Sequence, residues 1–164
     1  MRMDKLVKVG MADLNTAKVP QTIRTSGLGS CIGVVVYDER LKLSAMAHIM
    51  LPDSTYARSG VINRAKYADT AVADLIGLLE ADGALRSRLK AKIAGGAQMF
   101  QFSSSNEAMR IGPRNAEAVK DVLASFRVEL VHEDTGGGSG RTIEFNPATS
   151  VLNIRTVNKG VVEV

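Results

Sequence analysis

The sequence predicts a mixed α/β fold of the α+β type, with helices lying on a largely antiparallel sheet. Three observations predict it. Short runs rich in Val and Ile recur between turn residues. Two segments carry a single apolar stripe at helical spacing. Their order, strands then helix, strand, helix and strands, lacks the regular alternation of a parallel βαβ array. With 164 residues and 45% apolar composition, the chain is expected to be one domain, 1–164, with its own core.

The strand-like runs lie near Leu6–Leu14, Cys31–Tyr37, Ser44–Leu51, Ala91–Ala94, Val128–His132, Thr142–Phe145 and Val151–Val157. In the first helical segment, Ala65, Ala68, Val72, Leu75, Ile76 and Leu79 share a face. In the second, Ala116, Val119, Leu123 and Phe126 do, and Pro113 suits a first turn. The run Asp134-Thr135-Gly136-Gly137-Gly138-Ser139-Gly140 reads as a surface loop.

Composition narrows the function classes. No stretch approaches the roughly 20 apolar residues of a membrane span, so no membrane insertion is expected. Met1-Arg2-Met3-Asp4-Lys5 has no long apolar segment behind it, and there is a single cysteine. Both fit a cytoplasmic protein. The net charge of +4 favours an acidic partner surface, and Arg86, Arg88, Lys90 and Lys92 cluster. Aromatic residues are only 4%, with no Trp, which argues against nucleic acid as a partner. No cofactor is expected. Gly136–Gly140 looks like a phosphate loop but leads into a strand without a Gly-Lys-Ser/Thr. One cysteine and two distant histidines do not make a zinc site.

The chemistry centres on Cys31, preceded by Thr25-Ser26-Gly27-Leu28-Gly29-Ser30. A lone cysteine forms no internal disulfide, so it is either a small buried hydrophobe or a nucleophile. Its strand and the His48 strand flank the polar Asp38-Glu39-Arg40-Leu41 and read as a hairpin. A turn centred between Glu39 and Arg40 sets Asp38 opposite Leu41, Tyr37 opposite Lys42 and Cys31 opposite His48. Directly opposed residues share a face, with Cβ atoms about 4.5–5.5 Å apart. A free thiol, with a pKa near about 8.5, is little ionised at neutral pH, and an adjacent imidazole supplies the missing base.

Alone, His48 reads as a core histidine, and the register with Cys31 reverses that preference. His132 ends a strand beside Glu133 and Asp134 and reads as a rim residue. Gly27 and Gly29 can take positive φ and admit a substrate, and the Ser30 and Cys31 amides are candidate oxyanion donors. A hydroxyl before the glycine turn could orient His48 if the loop folds back. Thr22, Thr25 and Ser26 are equal candidates by this argument.

Thr25-Ser26-Gly27-Leu28-Gly29-Ser30-Cys31-Ile32-Gly33, followed by Ala47-His48-Ile49-Met50-Leu51-Pro52, resembles the chemoreceptor glutamine deamidase family (CheD). Tyr67–Ala71, Ala91–Ile93 with Gly95-Gly96-Ala97, Ile111–Asn115 and Gly136–Arg141 extend the likeness from about Val9 to Val157. It implies an α/β sandwich similar to bacterial toxin deamidases. It also implies hydrolysis of glutamine side chains on methyl-accepting chemotaxis receptors to glutamate and ammonia, with hydrolysis of glutamyl methyl esters as a further activity. The family's catalytic Cys, His and Thr fall on Cys31, His48 and Thr25. Receptor cytoplasmic domains and a CheC-type chemotaxis phosphatase are the implied partners. The chain departs from the pattern at Ala94, at Ser44-Ala45 and at Ser150, where a glycine is frequent. The rival readings are a non-catalytic adaptor that binds receptor helices or the phosphatase, and a general cysteine hydrolase of small amides or esters.

Overall fold

The computed structural model describes residues 5–58, 60–98 and 110–164. The N-terminal residues 1–4, on which the reading of the leader rests, lie outside them.

Among the described residues, ten strands form two five-stranded sheets. β1 (Leu6–Val9), β3 (Thr22–Leu28), β8 (Arg141–Asn146), β9 (Val151–Thr156) and β10 (Gly160–Glu163) make the first, in the order β1-β3-β8-β9-β10. β2 (Leu14–Lys18), β5 (Leu43–Ile49), β4 (Ile32–Asp38), β6 (Lys90–Gly95) and β7 (Glu129–Thr135) make the second, in the order β2-β5-β4-β6-β7. Among these strands β1–β3 and β6–β7 pair in parallel and the other pairs are antiparallel. The two helices, α1 (Ala68–Ala81) and α2 (Ile111–Ser125), cover the outer face of the second sheet. The sequence-predicted α+β sandwich is the observed architecture.

The period of two along β4 and β5 builds both cores at once. Ile32, Val34 and Val36 with Ala45, Ala47 and Ile49 point to the helices, where Val72, Leu75, Leu79, Val119 and Leu123 pack on them. Cys31, Val35, Tyr37 and Met46 point to the first sheet and meet Ile23, Ile143, Phe145 and Ile154. Both strands are buried end to end because both faces are covered. Among the described residues no helix is long and apolar enough to cross a membrane.

Three elements differ from expectation. The apolar run Leu6–Leu14 is two strands in different sheets, broken at a turn where Ala12 takes φ 55°. Thr22–Leu28, whose glycine reads as a loop, is strand β3, with a bulge between Thr25 and Leu28 and Gly27 at φ 73°. β10 is an exposed edge strand whose polar, glycine-led start hides it. Arg86, Arg88 and Lys90 are engaged by Glu80, Asp38 and Glu39, and Lys92 is buried against the Ser150 and Val164 carbonyls. The basic cluster is a set of local pairs.

Ser150 sits at φ 59° in the β8–β9 turn, which explains a glycine preference there. The left-handed region costs a non-glycine residue about 1–2 kcal/mol, and glycine's extra chain entropy returns roughly 0.5–1 of it. Ser150→Gly is expected to raise stability by about 0.5 kcal/mol, read as a higher urea midpoint. An unchanged or lower midpoint contradicts this account.

Candidate active site

The hairpin places its residues by the chemistry of its turn. The Asp38 carboxylate accepts from the Arg40 and Leu41 amides at 2.9 and 3.0 Å, and Arg88 holds its other oxygen at 2.9 Å. These bonds draw Arg40 and Leu41 into a four-residue loop, Glu39–Lys42, closed by Lys42 at φ 57°. Asp38 therefore pairs with Leu43, not Leu41, and His48 pairs with Gly33, not Cys31. The expected register is wrong by two residues. The loop is centred between Arg40 and Leu41, one residue later than expected. A slip of two conserves the face, so Cys31 and His48 both look toward the first sheet. They are diagonal rather than opposed, a spacing of about 7–8 Å in ladder geometry.

The residue directly across from His48 has no side chain, and the fold uses that gap. A Cβ on Gly33 would stand 2.6 Å from the Ile143 Cδ1, 3.0 Å from the Leu28 Cδ1 and 3.4 Å from the Thr25 Cγ2. The first sheet thus settles onto Gly33 and delivers Thr25 from β3. Its hydroxyl lies 2.8 Å from the His48 Nδ1 and 2.8 Å from the Val9 carbonyl. Thr25 reaches His48 across the sandwich rather than from a folded-back loop. Thr22 and Ser26 do not share this bond, and the choice that spacing left open falls to Thr25.

The hydroxyl also sets the imidazole tautomer. The Val9 carbonyl can only accept, so Thr25 donates its one proton there and accepts from His48. Nδ1 therefore carries the hydrogen and Nε2 bears a lone pair. Nε2 is fully buried and has no hydrogen-bond partner among the described residues. Burial, which penalises the charged form, holds the His48 pKa below its ordinary 6.5. It also pushes the Cys31 thiol up. Both shifts have one cause, burial that disfavours the charged form of each group.

Cys31 is 7% exposed and enters β4 from a loop whose carbonyls are tied down one after another. Gly29 accepts from the Ala97 amide at 2.8 Å, Ser30 from the Asn115 side chain at 3.0 Å, and Cys31 from the Gly96 amide at 2.9 Å. A Cβ on Gly95, at φ 120°, would fall 2.2 Å from the Cys31 oxygen, so only glycine lets the turn approach. Arg141 clamps that turn, donating to the Gly95 and Gly136 carbonyls and pairing with Asp134. Of the two glycines read as flexible, Gly27 takes the positive φ. Gly29 is held through its backbone.

His132 lies half-buried in the middle of β7, the edge strand of the second sheet, in register with Lys92, not at a strand end. Asn115, Gly33 and Arg141 are neighbours of the site that sequence reasoning did not assign. A signal for Asn115 existed: a polar residue on the apolar stripe of Gly112, Ala116, Val119 and Leu123. Among the described residues, no group of three or more His, Cys, Asp or Glu is placed to hold a metal ion.

The family model described as CheD chemotactic sensory transduction matches residues 50–156. This chain belongs to the CheD family. The matched segment begins just past His48, and the relatives extend over the rest. A chemoreceptor glutamine deamidase CheD of Halalkalibacterium halodurans is 59% identical over 162 residues, covering 99% of this chain and all of the relative. That of Bacillus subtilis is 53% identical over 155 residues, 94% of this chain and 93% of its own. A probable chemoreceptor glutamine deamidase CheD of Geobacillus kaustophilus is 53% identical over 165 residues, with both chains fully covered.

The neutral imidazole of this CheD-family chain has a stability signature. Below pH 6.5 the unfolded His48 takes up a proton that the folded one resists. The unfolded state then binds more protons, so stability falls as pH falls from 6.5 until the folded group also titrates. The urea midpoint of the wild type is expected to drop more between pH 7.5 and 5.5 than that of His48→Gln. Parallel curves contradict the neutral assignment.

Proposed function

We propose that this chain is a chemoreceptor glutamine deamidase, with Cys31 as nucleophile, His48 as general base and acid, and Thr25 as the group that orients His48. The observation that carries the catalytic reading is the Thr25–His48 bond, which leaves Nε2 bare on the face shared with the only cysteine. The relatives' names, at 53–59% identity over nearly the whole chain, carry the substrate.

The chemistry is acyl transfer. Sγ of Cys31 attacks the glutamine carboxamide carbon while Nε2 of His48 takes the thiol proton. Because burial disfavours a free thiolate, transfer accompanies attack. The Ser30 and Cys31 amides face the developing oxyanion. Collapse breaks the C–N bond, and His48 returns its proton to the departing ammonia. Water then attacks the thioester with His48 as base, releasing glutamate and restoring the thiol. The balance is glutamine plus water to glutamate plus ammonia. A glutamyl methyl ester enters the same sequence, with methanol leaving.

The partners in this reading are receptor cytoplasmic domains and a CheC-type chemotaxis phosphatase, and the working compartment is the cytoplasm. The test is ammonia release and the mass change of a receptor cytoplasmic fragment. Cys31→Ala is expected to abolish release. His48→Ala should lower it about 100-fold or more. Thr25→Val, which keeps shape and loses the hydroxyl, should lower it by ~10- to 100-fold through misorientation. Full activity in Cys31→Ala would sink the mechanism. A fragment that binds without losing ammonia would point to an adaptor, and turnover of free glutamine would point to a general hydrolase.

A further inference from the structure

We propose that Asn115 is a positioning residue that turns the Cys31 amide toward the oxyanion. This rests on Cys31 being the nucleophile. Asn115 is fully buried on α2. Its Nδ2 donates to the Ser30 carbonyl at 3.0 Å and to the Met50 carbonyl at 2.9 Å. Both neighbours can only accept, which fixes the orientation of the side-chain amide.

The Ser30 carbonyl and the Cys31 N–H belong to one peptide unit. In a trans peptide they point in opposite directions. Asn115 pulls the carbonyl toward α2, on the face built from Ile32, Val34, Ala116, Val119 and Leu123. The Cys31 N–H is thereby aimed the other way, to the face where the Cys31 side chain packs and where Thr25 meets His48. The flanking carbonyls of Gly29 and Cys31 are held by the backbone of Ala97 and Gly96. The central peptide alone depends on a side chain. The second Nδ2 hydrogen ties the same loop to Met50, two residues past His48, so one amide spans both catalytic segments. Asn115 Oδ1 is buried without a partner among the described residues. An apolar residue would fill this place on the stripe without that orphaned acceptor.

The role separates two reactions of the same thiol. Deamidation develops an oxyanion. Alkylation by iodoacetamide does not: an S–C bond forms, the C–I bond breaks and iodide leaves. The experiment uses the full chain as wild type, Asn115→Ala and Asn115→Leu, the last keeping the volume. Each is checked for folding by its thermal transition. Ammonia release from a receptor fragment that the wild type deamidates gives kcat and KM, and iodoacetamide gives the Cys31 alkylation rate against pH. Deleting an oxyanion donor costs about 100-fold or more, and misdirecting one is expected to cost ~10-fold or more in kcat. KM and the alkylation profile are expected to stay within about twofold of the wild type. Wild-type kcat in both folded variants overturns the proposal. So does a parallel loss of kcat and alkylation, which marks a loosened loop. Full activity in Cys31→Ala would instead remove the underlying mechanism.

Discussion

The contact between the two sheets over Gly33 is the constraint on which the site depends. Gly33 faces His48 across the hairpin and leaves open the volume that a side chain would fill. Thr25, Leu28 and Ile143 of the opposite sheet occupy it. That close approach puts one hydroxyl between the Val9 carbonyl and the His48 ring. Without it the histidine would be a core imidazole with no assigned tautomer. With it, the proton sits on Nδ1 and the basic nitrogen faces inward.

The burial that surrounds Cys31 and His48 disfavours charge on each of them. Desolvation raises the thiol and lowers the imidazole, so both shifts oppose a standing thiolate–imidazolium pair. In the proposed mechanism activation belongs to the moment of attack, when charge that develops on the substrate oxygen meets fixed backbone amides. The glycine turn at 95–96 and Arg141 behind it serve this by holding the Cys31 backbone against β6. A hydroxyl, lacking the charge of a carboxylate, orients the ring without stabilising imidazolium strongly, which suits a site whose resting histidine is neutral.

Much of this was legible in the residues. Apolar runs bounded by turn residues marked β4, β5 and β6, and the stripes marked both helices. Parity along the hairpin put Cys31 and His48 on one face. The register itself was not legible, because it follows from the Asp38 carboxylate capturing two amides and Lys42 accepting a left-handed φ. Strand β3 was hidden because Gly27, which looks like a loop residue, forms a bulge inside a ladder. Thr25 could be chosen only by resemblance, since Thr22 and Ser26 are equivalent in spacing.

By itself the sequence determined the secondary-structure periods, the two-faced burial of the central hairpin and the identity of the only possible thiol. Those are local properties, carried by residue type and by spacings of two and of three to four. The tertiary structure decided which hydroxyl meets His48, which nitrogen holds the proton, and that Asn115 spans the loops of Cys31 and His48. Each of these depends on groups brought together from different sheets or from a helix, at separations of 23, 65 and 85 residues. Nothing in a local pattern encodes a distance across a sandwich. That distance follows from how closely two sheets and a helix pack, which here is set by where a Cβ is missing.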